Sequence, residues 1–372
     1  MPPPRSSAFH LGYRPELDGI RGISILLVFG LHFTPRLMPG GYFGVEVFFV
    51  LSGFLITALL LQEWQRLNAI NLRDFYLRRA FRLGPALLLY LILLSAYAFL
   101  FMSREHATEL YVGVLATLSY VSNWMIALVP SFPTGILAIT WSLAVEEQFY
   151  LFWPLTLFLL LRKLNPRVII LLIMTGLTLV VTHRFFLFQD GATFRRMYYA
   201  TDTRADGLLW GCLLACATAW ELFPKSRAFE VAMKALAVLA AIFLFYLVLI
   251  MKSSNPLLFK GVFTLATLAI VIVITTVVLW PSFSGFAILK FAPLVWIGRI
   301  SYGLYLWHWP VRGYFFGSNS QPGVARIAAA VTLTFAIASL SFYVIEQPFL
   351  KLKKRFSHAE ATSAKDGGQI DS

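Results

Sequence analysis

A chain of 372 residues has room for two soluble domains, but 59% hydrophobic and only 13% charged residues, with a mean hydropathy of +0.73, exclude that organisation. The formal charge of +13 would suit nucleic acid in a soluble protein. In so apolar a chain, clustered Lys and Arg read as topology signals, and no nucleic-acid partner is expected.

In chain order, a polar leader, "MPPPRSSAFHLGYRPELDG", comes first and shows no cleavage site after an apolar core. Eleven apolar stretches follow, at 20–34, 43–62, 85–102, 110–127, 141–161, 167–183, 205–220, 229–251, 261–280, 300–317 and 323–346. Demoting 110–127 places 21 of the 31 Lys and Arg residues on the inner side, whereas letting it cross moves 13 of them outside. "YVGVLATLSYVSNW" also suits an interface better than lipid. The predicted fold is therefore all-α and integral to the membrane, with about ten transmembrane helices plus one outer-surface or re-entrant helix. Both termini are expected in the cytoplasm. Residues 1–350 form one membrane domain, and 351–372 a tail that begins basic and ends polar, disordered beyond about 357. No internal repeat is visible. Cys212 and Cys216, four apart in one apolar segment, read as packing residues, and no metal is expected.

Ionisable groups at membrane depth are functional candidates. Arg21 and His32 are eleven residues, about three helical turns, apart and so lie near one face. His32 either caps the helix end before Thr34-Pro35 or does chemistry there. Glu46, across a short turn, reads as a carboxylate that holds the imidazole or as a water-facing residue at a helix start. Ser52-Gly53 reads first as a close-packing point. Arg79 and Arg82, i and i+3 in "RRAFRLGP", either anchor the inner membrane border or present paired guanidiniums to phosphate. In "TWSLAVEEQFYLFWP", adjacent Glu146 and Glu147 cannot both face one cavity, while Trp141 suits an aromatic belt. The segment 184–206, read as an outer loop, holds Arg184, Arg195, Arg196 and Arg204 against the topology rule. Such an exception asks for a partner: Asp202, Asp206, an anionic acceptor or a lipid headgroup. His308 reads as a hydrogen-bonded packing residue.

Taken together, these stretches resemble the acyltransferase 3 family of integral membrane acyltransferases. The resemblance covers about 14–350 and rests on seven motifs in order. They are "RPELDGIRGISILLVFGLHF", "GVEVFFVLSGFLIT", "RRAFRLGP", "WSLAVEEQFYLFWP", "DTRADGLLWG", "ISYGLYLWHWP" and "IEQPF". It implies that Arg21 and His32 fill an Arg-x10-His pair whose histidine is essential for transfer, that Arg79 and Arg82 fill an acyl-CoA-handling Arg-x-x-Arg pair, and that Glu146 matches a motif glutamate. Glu46 stands where the family commonly shows aspartate. Some relatives append an outer hydrolase-like domain. This chain carries only a short tail, so action alone or with a separate outer-face partner protein is expected.

The function so implied is transfer of an acyl group, acetyl first, from cytoplasmic acyl-CoA to a hydroxyl of an extracytoplasmic or lipid-linked carbohydrate. His32, Arg21, Glu146 and Glu46 are expected at the reaction centre, Arg79 and Arg82 on the donor, and Arg204, Asp206, Trp141 and Ser52 on the acceptor side. Acyl-CoA is a co-substrate, not a resident cofactor; membrane lipids are the remaining partners, and the inner membrane of a bacterium is the expected site. The competing reading is a polytopic transporter or flippase for a lipid or sugar. A nucleotide-driven pump is disfavoured because no GxxxxGK[ST] occurs.

Overall fold

The structure is a computed structural model describing residues 9–133, 135–317 and 322–351. No strand occurs among them. The helices are α1 (Pro15–Phe33), α2 (Phe43–Leu67), α3 (Leu72–Phe101), α4 (Arg104–Leu118), α5 (Ser122–Leu128), α6 (Thr140–Lys163), α7 (Pro166–Gln189), α8 (Phe194–Tyr199), α9 (Thr201–Ala219), α10 (Arg227–Ile250), α11 (Phe263–Leu279), α12 (Ala292–Arg299), α13 (Ser301–Phe316) and α14 (Val324–Ser341). A π-helical turn, Leu258–Val262, leads into α11 and another, Phe342–Glu346, follows α14. The expected tail from 352 onward lies outside the described residues.

Local chemistry sets these boundaries. Asn71, Asn165, Thr193 and Ser226 each accept the backbone N–H three residues on, capping α3, α7, α8 and α10. Pro15 opens α1, with Glu16 and Asp18 in its first turn, where the helix dipole favours acids. That start is why α1 begins five residues before the apolar run at 20. Asn68, at φ 51°, closes α2.

The protein is an all-helical, multi-pass membrane protein. Among the described residues, seven helices are long and apolar enough to cross a bilayer: α2, α3, α6, α7, α10, α11 with its preceding turn, and α14 with its continuation. Of the three further crossings expected, α1 and α9 each carry three charged residues in 19, and α13 has 16 residues. The stretch 110–127 is not one long helix. A turn with Tyr120 at φ 53° divides it into α4 and α5, neither among the seven. The segment 184–206, read as an outer loop, is largely helical instead, holding the end of α7, α8 and the start of α9; a 3-10 turn and α12 lie between α11 and α13.

The chain forms two compact units. The first, Met1–Ile70 and Val112–Ser301, has α2 as its most buried span. There α2 and α9 meet backbone to backbone. A Cβ at Gly53 would collide with the Leu208 carbonyl, and one at Gly211 with that of Val50. Gly207 and Gly211 thus make a small-xxx-small contact of the kind that joins membrane helices. Gly19 and Gly22 of α1 likewise lie against the Leu289 and Leu294 carbonyls. Val50, Leu51, Phe54, Leu214, Ile270 and Ile274 fill the core between them. By contrast, α10 exposes Leu239, Ile242, Phe245 and Tyr246, the signature of a lipid-facing helix.

The second unit, Asn71–Tyr111 and Tyr302–Ser372, gathers α3, α13 and α14. Tyr302 Oη donates to the Leu83 carbonyl at 3.0 Å, and Tyr90 meets Trp307 edge to face at 5.3 Å. His308 is fully buried, with Nδ1 2.6 Å from the Tyr305 carbonyl, as a packing histidine requires.

Candidate active site

The Arg21–His32 helix, α1, is anchored at its charged end. Arg21 Nη1 lies 3.3 Å from Asp18 Oδ1, one turn back. Asp18 Oδ2 also accepts from Tyr13 Oη at 3.0 Å, and Tyr13 Oη accepts in turn from Arg299 Nη2 at 2.7 Å. Asp18, which sequence reading passed over, thus fixes the guanidinium. His32 is half-buried in the last turn of α1. Thr34 ends the helix there, its N–H and hydroxyl both bonded to the Gly30 carbonyl.

Glu46, expected beside the His32 imidazole, has both carboxylate oxygens engaged. Oε2 accepts from Arg204 Nη2 at 2.8 Å and Oε1 from Thr267 Oγ1 at 3.1 Å, and the residue is fully buried. Arg204, itself 1% exposed, lies over the Phe263 ring at 4.0 Å and is also faced by Tyr198, Phe49 and Trp141. A second buried pair sits alongside: Arg184 Nη2 reaches Asp206 Oδ2 at 2.8 Å, and Arg184 Nη1 donates to the Thr203 carbonyl at 2.9 Å. Each charge in this quartet is matched, as burial demands.

The quartet explains "DTRADG" residue by residue. Asp202 takes Arg196 Nη1 at 2.8 Å, Thr203 Oγ1 donates to the Met197 carbonyl at 2.9 Å, Arg204 binds Glu46, and Asp206 binds Arg184. Gly207 leaves room for the Glu46 carboxylate, which a Cβ would strike. Arg195 completes the set by donating to the Ile126 and Pro130 carbonyls at 2.9 and 2.8 Å. All four arginines of this segment therefore have partners inside the protein. Arg204, Asp206 and Trp141, expected to meet the acceptor, are buried in this wall.

The structure brings Ser52 and Glu146 together, across 94 residues of sequence. Ser52 Oγ donates to Glu146 Oε1 at 2.7 Å, and both side chains are half-buried. With Gly53 against α9, the Ser-Gly pair divides its labour: one residue packs, the next points a hydroxyl at a carboxylate. Two residues beyond Glu146, Gln148 donates to the Tyr120 carbonyl at 2.6 Å and to Asn123 Oδ1 at 2.9 Å. Trp153 Nε1 adds a bond to Thr57 Oγ1 at 2.8 Å, pinning α6 to α2.

Arg79 and Arg82 lie in the second unit, one turn apart on α3, the first half-buried and the second exposed. Among the described residues, no three His, Cys, Asp or Glu side chains gather in a way that would hold a metal ion.

A family model described as an acyltransferase domain matches residues 14–346. The chain belongs to this acyltransferase family. Among its relatives is the peptidoglycan O-acetyltransferase OatA of Listeria monocytogenes, 35% identical over 359 residues, which cover 93% of this chain and 57% of that protein. The O-acetyltransferase OatA of Staphylococcus aureus is 33% identical over 377 residues, 96% of this chain and 60% of that protein. The chain thus spans about three-fifths of the length of these relatives. No solved structure matches it. The acyltransferase match opens at Arg14, just ahead of α1, and closes at Glu346, so it takes in α1 with its Arg21–His32 pair, the Ser52–Glu146 contact and the Arg79/Arg82 turn.

Proposed function

We propose that this chain is a membrane O-acyltransferase that moves an acetyl group from cytoplasmic acetyl-CoA to a hydroxyl of an extracytoplasmic or lipid-linked carbohydrate. It would work in the inner membrane of a bacterium, with both termini in the cytoplasm. The observation that carries this reading is the match to an O-acetyltransferase of peptidoglycan over 93% of the chain.

In this reading Arg79 and Arg82 bind the phosphates of the donor, since guanidiniums one turn apart suit phosphate oxygens. His32 takes the proton from the acceptor hydroxyl as the acyl carbon leaves sulfur, or carries the acyl group itself. The half-buried Glu146, held by Ser52, is the carboxylate suited to steady charge during transfer. Glu46 supports the wall through Arg204, and Arg21 fixes the inner end of α1 through Asp18.

The test is acceptor-dependent release of CoA. Purified protein in lipid nanodiscs, given labelled acetyl-CoA, should release CoA and acetylate a peptidoglycan fragment or lipid-linked saccharide. Transport of a saccharide with no CoA release would sink the proposal.

A further inference from the structure

At the end of the first unit where α2 and α9 finish and α7 begins, the surface opens into a cleft of about 1110 Å3, room enough for a drug-sized ligand. Its walls are tied together. Gln65, in the last turn of α2, accepts the Phe9 N–H at 2.9 Å and donates from Nε2 to the carbonyl of Ala219, the last residue of α9, at 3.2 Å. One turn back, Gln62 accepts the Leu11 N–H at 3.3 Å. Two glutamines therefore hold the leader and α9 against α2. The cleft lies between these parts and the start of α7, with Arg167, Thr218, Trp220 and Glu221 in its lining.

The positive charge here is available. Arg167 is exposed, and its guanidinium has no partner among the described residues. The carboxylate in the lining, Glu221, is already held by Lys225 Nζ at 2.6 Å. Arg66, Arg162 and Lys163 stand exposed at the same end, where Trp64 of α2 meets Phe158 of α6 edge to face at 6.2 Å. Clustered cations of this kind raise the local concentration of anions.

The cleft also borders a hydrocarbon-facing strip. Arg167, Leu171 and Met174 follow one face of α7 at i, i+4 and i+7, and Leu171 and Met174 are 61% and 50% exposed. A free cation thus stands one turn from apolar side chains on a membrane-spanning helix. Trp220, half-buried in the lining, adds an indole of the sort that settles at headgroup level. A soluble anion would use the cation alone, whereas a phospholipid uses cation, indole and strip together.

We propose that this cleft binds the phosphate of an anionic phospholipid. Arg167 takes the phosphate, Trp220 lies at the level of the glycerol, and the acyl chains run along Leu171 and Met174. Basic pockets between membrane helices hold anionic headgroups in this way. The bound lipid would brace the end of α9 against α2 and α7.

The test is titration of short-chain phosphatidylglycerol into the full chain in neutral detergent, followed by melting temperature and by native mass spectrometry of retained lipid. Phosphatidylglycerol should raise the melting temperature saturably, and phosphatidylcholine should not. Arg167→Gln should weaken the apparent affinity about fivefold or more, the worth of one basic residue at an anionic surface. Its melting temperature without lipid should stay that of the wild type, since no internal bond is lost. Arg162→Gln makes the same charge change at the same end but outside the lining, and should leave the affinity nearly unchanged. Equal protection by the two lipids, or equal losses in the two variants, would overturn the site in favour of diffuse attraction. Saturable protection by inorganic phosphate that Arg167→Gln abolishes would overturn the lipid assignment, because the cleft would then take a soluble anion.

Discussion

At the scale of single residues, His32 and Glu46 make an instructive contrast. Both are ionisable, and both sit near the same helix turn. Glu46 is fully buried and bonded to Arg204 and Thr267, so its removal strands a buried guanidinium. Glu46→Ala should therefore cost about 3–5 kcal/mol of stability and show as a large fall in melting temperature. His32 is half-buried at a helix end, and His32→Ala should fold and insert normally. If it is the general base, acetyl transfer falls by about 10²–10⁴-fold at an unchanged melting temperature. Side-by-side thermal unfolding and transfer assays check both, and normal transfer by His32→Ala would remove it from the chemistry.

At the scale of helices, the contact between α2 and α9 organises the first unit. Gly53 and Gly211 let the two backbones touch, and that approach sets Glu46 against Arg204. Gly211→Val must push α9 away from the Val50 carbonyl. It should destabilise by about 1–3 kcal/mol through overpacking, and by more if the Glu46–Arg204 pair opens. The check is a melting temperature measured beside that of Gly176→Val, at a site where an added Cβ would meet only Leu209 Cδ1, at 3.5 Å. Equal losses in the two variants would mean that the close approach carries little of the stability. The same interface marks where sequence reading stops. Hydropathy found the long helices, and charge counting set apart 110–127, which the structure divides between two shorter helices, because both signals are local. Arg21 and His32 on one helix were legible from spacing alone. The Glu46–Arg204 bond joins positions 158 apart, and Ser52–Glu146 positions 94 apart. No periodicity says which helices touch. The sequence did offer a hint in the Ser52-Gly53 close-packing point, and Gly53 does lie against the Leu208 carbonyl of α9.

At the scale of the whole molecule, the number of crossings decides where the termini lie. Seven crossings are odd and would put the two ends on opposite sides; ten are even and keep both on one side. The difference falls on α1, α9 and α13, and α9 is the informative one. It carries Asp202, Arg204 and Asp206, charges that would ordinarily bar it from lipid. Yet Arg204 and Asp206 are buried against Glu46 and Arg184, so neither charge meets lipid. A helix of 19 residues rises about 28 Å, close to the hydrocarbon thickness. If α9 crosses, Asp190, at the end of α7, and Lys225, just before α10, lie on opposite faces of the membrane. Cys212 and Cys216 are buried and should add little background. In intact cells an impermeant maleimide should label Asp190→Cys at once and Lys225→Cys only after permeabilisation. Labelling of both from one side would take α9 out of the crossing set. It would also place the two ends of the segment from α8 to α9 in a single compartment, and the transfer route proposed for His32 would then need a different path across the bilayer.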